Sequence, residues 1–96
     1  MTKIFLEGLL VKSEKDLHSQ LALALEFPSY YGKNLDALWD CLSDYAISLK
    51  GQSVDLVIRN SDHVRKTVGP DYLEKVIACF TEARDEWHAQ ISITLE

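Results

Sequence analysis

Asp36, Asp40 and Asp44 recur at four-residue intervals, and Glu82 and Glu86 repeat that spacing later with Asp85 beside them. Side chains four apart share one face of a helix, so each set is a row of carboxylates. Such a row can do two kinds of chemistry. Carboxylate oxygens hold hard cations such as magnesium, for which Asp36, Asp40 and Glu82 are the candidates. Carboxylates also enter Arg-rich or Lys-rich sites that otherwise accept phosphate, which makes the row a phosphate mimic and a plug for a nuclease active site. Like charges at this spacing cost a helix about 0.2–0.5 kcal/mol per pair, and only Asp36 lies in the first turn, where the helix dipole favours an anion. No Lys or Arg follows the row before Lys50. A solvated face is the plain alternative, but such faces more often mix the two signs. Tyr30 and Tyr31 at the mouth of the helix, together with the second acidic face, set binding slightly ahead.

Other chemistry is sparse. The chain carries no Gly-rich phosphate loop, Cys-x-x-Cys pair, His-Glu-x-x-His helix or nucleophile elbow. Cys41 lies beside Asp40 and close to Asp44, which raises a thiol pKa, so it reads as an inert structural thiol. His18 reads as a solvent-side residue of the first helix. His63 reads as a surface residue, because it has no metal-ligand partner beyond the adjacent Asp62. A magnesium-dependent hydrolase would lack both a base and a substrate pocket. No catalytic, cofactor-binding or metal-binding residue is therefore assigned.

The elements that must position the acidic row follow from periodicity. Pro28 ends the preceding helix, and Gly32 reads as a residue free to take backbone angles that others avoid. Asn34 suits a helix N-cap. Leu35, Leu38, Trp39, Leu42 and Ala46 then form a buried stripe, predicting a helix over 34–48 with Gly51 just past its end. Upstream, Lys3 to Gly8 reads as a strand centred on Ile4-Phe5-Leu6, and Leu9-Leu10-Val11 as a connection covering part of the core. Ser13 and Asp16 make a capping-box-like start to a helix over 14–26, with Leu17, Leu21, Ala24 and Leu25 inward. Downstream, Val54 to Ile58 is β-branched and apolar and reads as the best-buried strand.

Asn60-Ser61-Asp62 is a capping cluster for a short helix through His63, Val64 and Arg65. Gly69-Pro70-Asp71 opens the last helix, with Leu73, Val76, Ile77, Phe80, Ala83 and Trp87 inward. Ile91, Ile93 and Leu95 alternate with Ser92 and Thr94, as in a half-buried strand. Helical connections of this length suit parallel strands, and right-handed crossovers with strand order 1-2-3 put every helix on one face. The expected fold is α/β: a three-stranded parallel sheet, three main helices and one short helix, in a single domain over 1–96.

A chain of 96 residues with 47% hydrophobic and 26% charged residues has the balance of an ordinary globular domain. Its net charge of −5 argues against direct nucleic-acid binding and suits a basic protein partner. The three-residue apolar run near the N-terminus is too short for a signal peptide, and no run approaches a membrane span. The cytoplasm is the expected location, with Cys41 and Cys79 as reduced thiols.

At the acidic row the chain resembles the barstar family, intracellular inhibitors of barnase-like bacterial ribonucleases. The run Tyr30-Tyr31-Gly32 followed by Asn34 through Leu42 looks like the family signature, with Lys33 where an acidic residue is expected. Weaker similarity covers Asp16-Leu17-His18, Phe80-x-Glu82-Ala83 and the closing Ile91-x-Ile93. The resemblance implies a barstar-like fold and a one-to-one complex with a basic ribonuclease, formed by an inhibitor that is a monomer when free. It implies that Asp40 enters the phosphate pocket and that Asp36 meets a guanidinium. Tyr30 would pack near the catalytic histidine of the nuclease, and Gly32, Asn34, Leu35 and Trp39 would line the contact. Glu82 would add a peripheral charge pair, and Asp44 extends the same acidic row. Lys33, the stretch 43–52 and the position of Cys79 depart from the family pattern. The alternative is a barstar-like module that binds a different basic toxin or protein.

Overall fold

Three short, largely apolar segments make the strands of the sheet. In the computed structural model, which describes residues 2–96, β1 (Thr2–Glu7), β2 (Ser53–Arg59) and β3 (Gln90–Leu95) pair in parallel in the order β1-β2-β3. Leu56 lies opposite Ile4 on one side and Ile93 on the other, and Ile58 opposite Leu6 and Leu95. The side chains of these residues point to one face, since strand side chains alternate. That face is covered by α1 (Glu14–Leu25), α2 (Leu35–Ser48), α3 (Ser61–Val68) and α4 (Pro70–Trp87). Leu17, Leu21, Leu38, Leu42, Leu73, Val76 and Phe80 complete one core with the central strand.

Among the described residues the other face carries no helix. Phe5 is 55% exposed there, under the Arg59 guanidinium at 5.7 Å from the ring centroid. Asp55 on the same face is nonetheless buried, because its carboxylate accepts hydrogen bonds from Ser92 Oγ at 2.9 Å and Thr94 Oγ1 at 3.0 Å. The parallel topology, the strand order and the one-sided layering match the expectation from connection length.

Local details correct several expectations. The strand ends at Glu7 and Gly8 opens a single 3-10 turn over Gly8–Leu10, where Leu9 and Leu10 are exposed while Val11 alone enters the core. Ser13 caps α1 by accepting from the Asp16 amide at 3.1 Å, but Asp16 returns its bond to the amide of Lys12, not of Ser13. Asn60 does not cap α3. It adopts a left-handed backbone, and its side chain donates to Glu7 Oε2 at 2.8 Å, which ties the end of β2 to the end of β1. The short helix is a full eight residues. Trp87, expected inward, is 44% exposed and is the last residue of α4. His63, expected at the surface, is half-buried, and its Nε2 is shielded with no hydrogen-bond partner.

Candidate functional site

The acidic helix starts from a loop held at both ends. Asn34, extended at φ −143°, caps α2 by accepting the Ala37 amide at 2.8 Å, and its side-chain NH2 group donates to the Gly32 carbonyl at 3.3 Å. Gly32 itself has an ordinary backbone. The left-handed residue of the loop is Lys33, at φ 53°, which corrects the reading of Gly32 as the special backbone position. A Cβ at 32 would sit closely packed, 3.3 Å from the Ala37 Cβ and 3.5 Å from Asn34 Nδ2.

The two tyrosines separate in role. Tyr30 is 81% exposed. Tyr31, expected to flank the acidic face, turns inward and is 7% exposed. Its hydroxyl lies 2.6 Å from His18 Nδ1, and the other ring nitrogen, Nε2, lies 2.6 Å from the Tyr72 hydroxyl. His18 is therefore not a solvent-side residue but a fully buried one, at 0% exposure. Burial disfavours the imidazolium and pulls the His18 pKa below the ordinary histidine value, with Glu14 opposing weakly. A neutral imidazole has one donor and one acceptor nitrogen, so one tyrosine donates to the ring and the other accepts from it. Burial likewise raises the Tyr31 and Tyr72 phenols. This chain of three side chains links α1, the loop and α4. His18 carried a legible signal: with Leu21 and Leu25 it fits the i, i+3, i+7 pattern of a buried face. Tyr72 adjoins the core residue Leu73 but had no local mark of its partner, which lies 54 residues away.

Beyond the cap, the buried stripe of α2 is Leu38, Leu42 and Ala46. Leu35 and Trp39 are half-buried at the margin of the stripe, against the core. Asp36, Asp40 and Asp44 are all exposed, about 6 Å of helix rise apart. Among the described residues the only ion pairs are Arg65–Asp62 and Arg84–Asp85, so none of the three aspartates is paired with a cation of this chain. Glu82 is exposed on α4, the helix that packs along α2.

Cys79 on α4 has a raised pKa, first from burial, then from Glu82 on its own helix and Asp36 on the facing one. Both carboxylates thus act electrostatically on the same thiol. Cys41 is raised by burial, then by Asp44 and Asp40. Both cysteines are free. The candidate residues Tyr30, Gly32, Asn34, Leu35, Asp36, Trp39 and Asp40 thus occupy one loop and helix start, with Asp44 further along and Glu82 alongside. Asp36, Asp40 and Glu82 do not converge as metal ligands: among the described residues no three His, Cys, Asp or Glu side chains come together in that way. No helix of the described residues is long and apolar enough to cross a membrane.

Parallel strands backed on one face by four helices, with an outward acidic helix whose charges are unpaired, define a small α/β protein that presents an acidic face. The family model described as Barstar (barnase inhibitor) matches residues 1–95, and the chain belongs to the barstar family. It is also similar to a Bacillus subtilis (strain 168) protein named "Putative ribonuclease inhibitor YrdF", at 34% identity over 96 residues, covering 100% of both chains.

Proposed function

We propose that this protein inhibits a basic, barnase-like ribonuclease by occupying its active site with an acidic helix that stands in for RNA phosphate. The observation that carries the reading is the row Asp36, Asp40 and Asp44, exposed and free of any cation of its own chain among the described residues. Such carboxylates keep their charge for a partner, and an active site that binds phosphate supplies the Lys and Arg that receive them. In this reading Asp40 enters the phosphate pocket and Asp36 meets a guanidinium. Tyr30, Gly32, Asn34, Leu35 and Trp39 cover the surrounding nuclease surface, and Asp44 and Glu82 add charge at the rim. The family description and the relative's name support a ribonuclease as the partner and an inhibitor, not an enzyme, as the role. The proposed complex is one-to-one, formed in the cytoplasm by an inhibitor that is monomeric when free.

Titration of a barnase-like ribonuclease with this protein tests the proposal. Cleavage should stop at one equivalent. For close interfacial charge pairs in general, barnase–barstar among the systems that define the range, losing one partner costs about 2–5 kcal/mol. Asp40→Ala should therefore weaken inhibition by roughly thirtyfold or more. Inhibition that survives Asp40→Ala unchanged would rule the mechanism out.

A further inference from the structure

The loop that starts the acidic helix has a second side, and it is positive. Lys12, Lys15 and Lys33 line one open cleft of about 740 Å³ together with Tyr31, Gly32 and Thr67. Glu14 is the one acidic side chain among its lining residues. All three lysines are exposed, and none forms an ion pair among the described residues. The chain holds 15 acidic and 10 basic residues, so three unpaired ammonium groups around one hollow run against its overall charge. Lys33 belongs to both surfaces. Its backbone sits between Gly32 and the cap residue Asn34, and its left-handed conformation turns the chain from the cleft into α2.

We infer that this cleft is a second contact for the same nuclease and that it receives an aspartate or glutamate carried at the rim of the nuclease active site. The inference rests on the inhibitor reading above. A partner that covers Tyr30 and Asn34 also reaches the cleft, because Tyr31, Gly32 and Lys33, which line it, lie between them in the chain. A nuclease rim that is basic throughout would face three lysines there, and like charges brought together across an interface oppose binding strongly. A rim carboxylate turns that repulsion into attraction and selects among nucleases that share the same phosphate pocket. Specificity of this kind needs a repulsive element as well as an attractive one. The cleft supplies it against nucleases that lack the acid.

The test uses the full chain and barnase as the probe. Barnase variants, each with one added glutamate around the mouth of the active site, are titrated with the natural chain, with Lys33→Glu, and with the double variant Lys12→Glu/Lys15→Glu. At least one added glutamate should tighten inhibition by the natural chain about tenfold at low salt. Both lysine variants should abolish or reverse that gain, and the gain should shrink as salt rises. The double variant changes no residue with a positive φ, so it reads the charge without touching the strained position. If every added glutamate shifts the natural chain and the lysine variants equally, the cleft is not a contact and the inference falls. If instead the free chain binds a short single-stranded RNA and the lysine changes abolish that binding, the cleft belongs to nucleic acid and the inference is overturned. Asp40→Ala separates the two layers. Unchanged inhibition in that variant sinks the inhibitor reading itself, whereas lost inhibition without lysine–glutamate coupling sinks the cleft alone.

Discussion

Tyr31→Phe removes one oxygen from a place that water does not reach. The ring and its contact with Phe27, at 4.9 Å between centroids, stay. What goes is the 2.6 Å partner of His18 Nδ1, inside a region where His18 is 0% and Tyr31 7% exposed. A buried polar atom left without a partner costs about 1–3 kcal/mol. For a domain of this size 1 kcal/mol moves the melting temperature by roughly 4–8 °C, so a loss near 2 kcal/mol lowers it by about 8–16 °C. Thermal unfolding followed by circular dichroism above pH 7, where the imidazole is neutral, measures the shift. The same change made in a His18→Leu background isolates the bond: with the nitrogen gone, deleting the hydroxyl should cost under about 0.5 kcal/mol. An equal cost in both backgrounds, or a melting temperature unmoved in the single variant, would refute the assignment of the loop's anchor to this bond.

Stability should also depend on pH through His18. Its folded pKa is lowered by burial, so below the unfolded value of about 6.5 the unfolded chain takes up a proton that the folded chain refuses. Stability is full above that pH and falls as pH drops toward the folded pKa, and His18→Leu should remove this slope from the denaturation profile. Gly8→Ala should prevent folding, because the added Cβ would lie 2.4 Å from the Arg59 carbonyl oxygen and 2.7 Å from that of Asn60. Soluble, cooperatively melting Gly8→Ala protein would contradict the packing at that strand end. Cys41 should alkylate slowly at pH 7.5, since burial, Asp44 and Asp40 all raise its pKa and only the thiolate reacts. Asp40→Asn/Asp44→Asn should speed the reaction, and an unchanged rate would show that the two carboxylates do not act on the thiol.

Periodicity and punctuation carry most of this fold. Val54 to Ile58 reads as the best-buried strand and is the central one, Pro70 opens its helix at the position proline favours, and Asn34 caps where an Asn should. The acidic row is equally legible, because four-residue spacing on a helix makes one face whatever the rest of the chain does. Tyr31 and Trp87 escape such reasoning, and for His18 the helical spacing competes with the polarity of its ring. Each is amphipathic, with an apolar body and a polar tip, and which part is buried depends on what packs against it. His18 is drawn inward because two tyrosine hydroxyls from distant segments satisfy both its nitrogens. Tyr31 faces the core because Pro28 and the Tyr31 amide close a turn beneath it, with 3.0 Å between nitrogen and carbonyl oxygen.

The helices, their order, the parallel sheet and the identity of the charged face are properties of local pattern, set by repeats of two and four residues along the chain. Three features come only with the folded chain. Asp36 and Glu82, on two helices, both raise the pKa of the Cys79 thiol, three lysines from two segments share one cleft, and a buried histidine holds the loop before the acidic helix. Each depends on residues brought together from separate segments, and a spacing rule along one segment carries no information about the segment that packs against it.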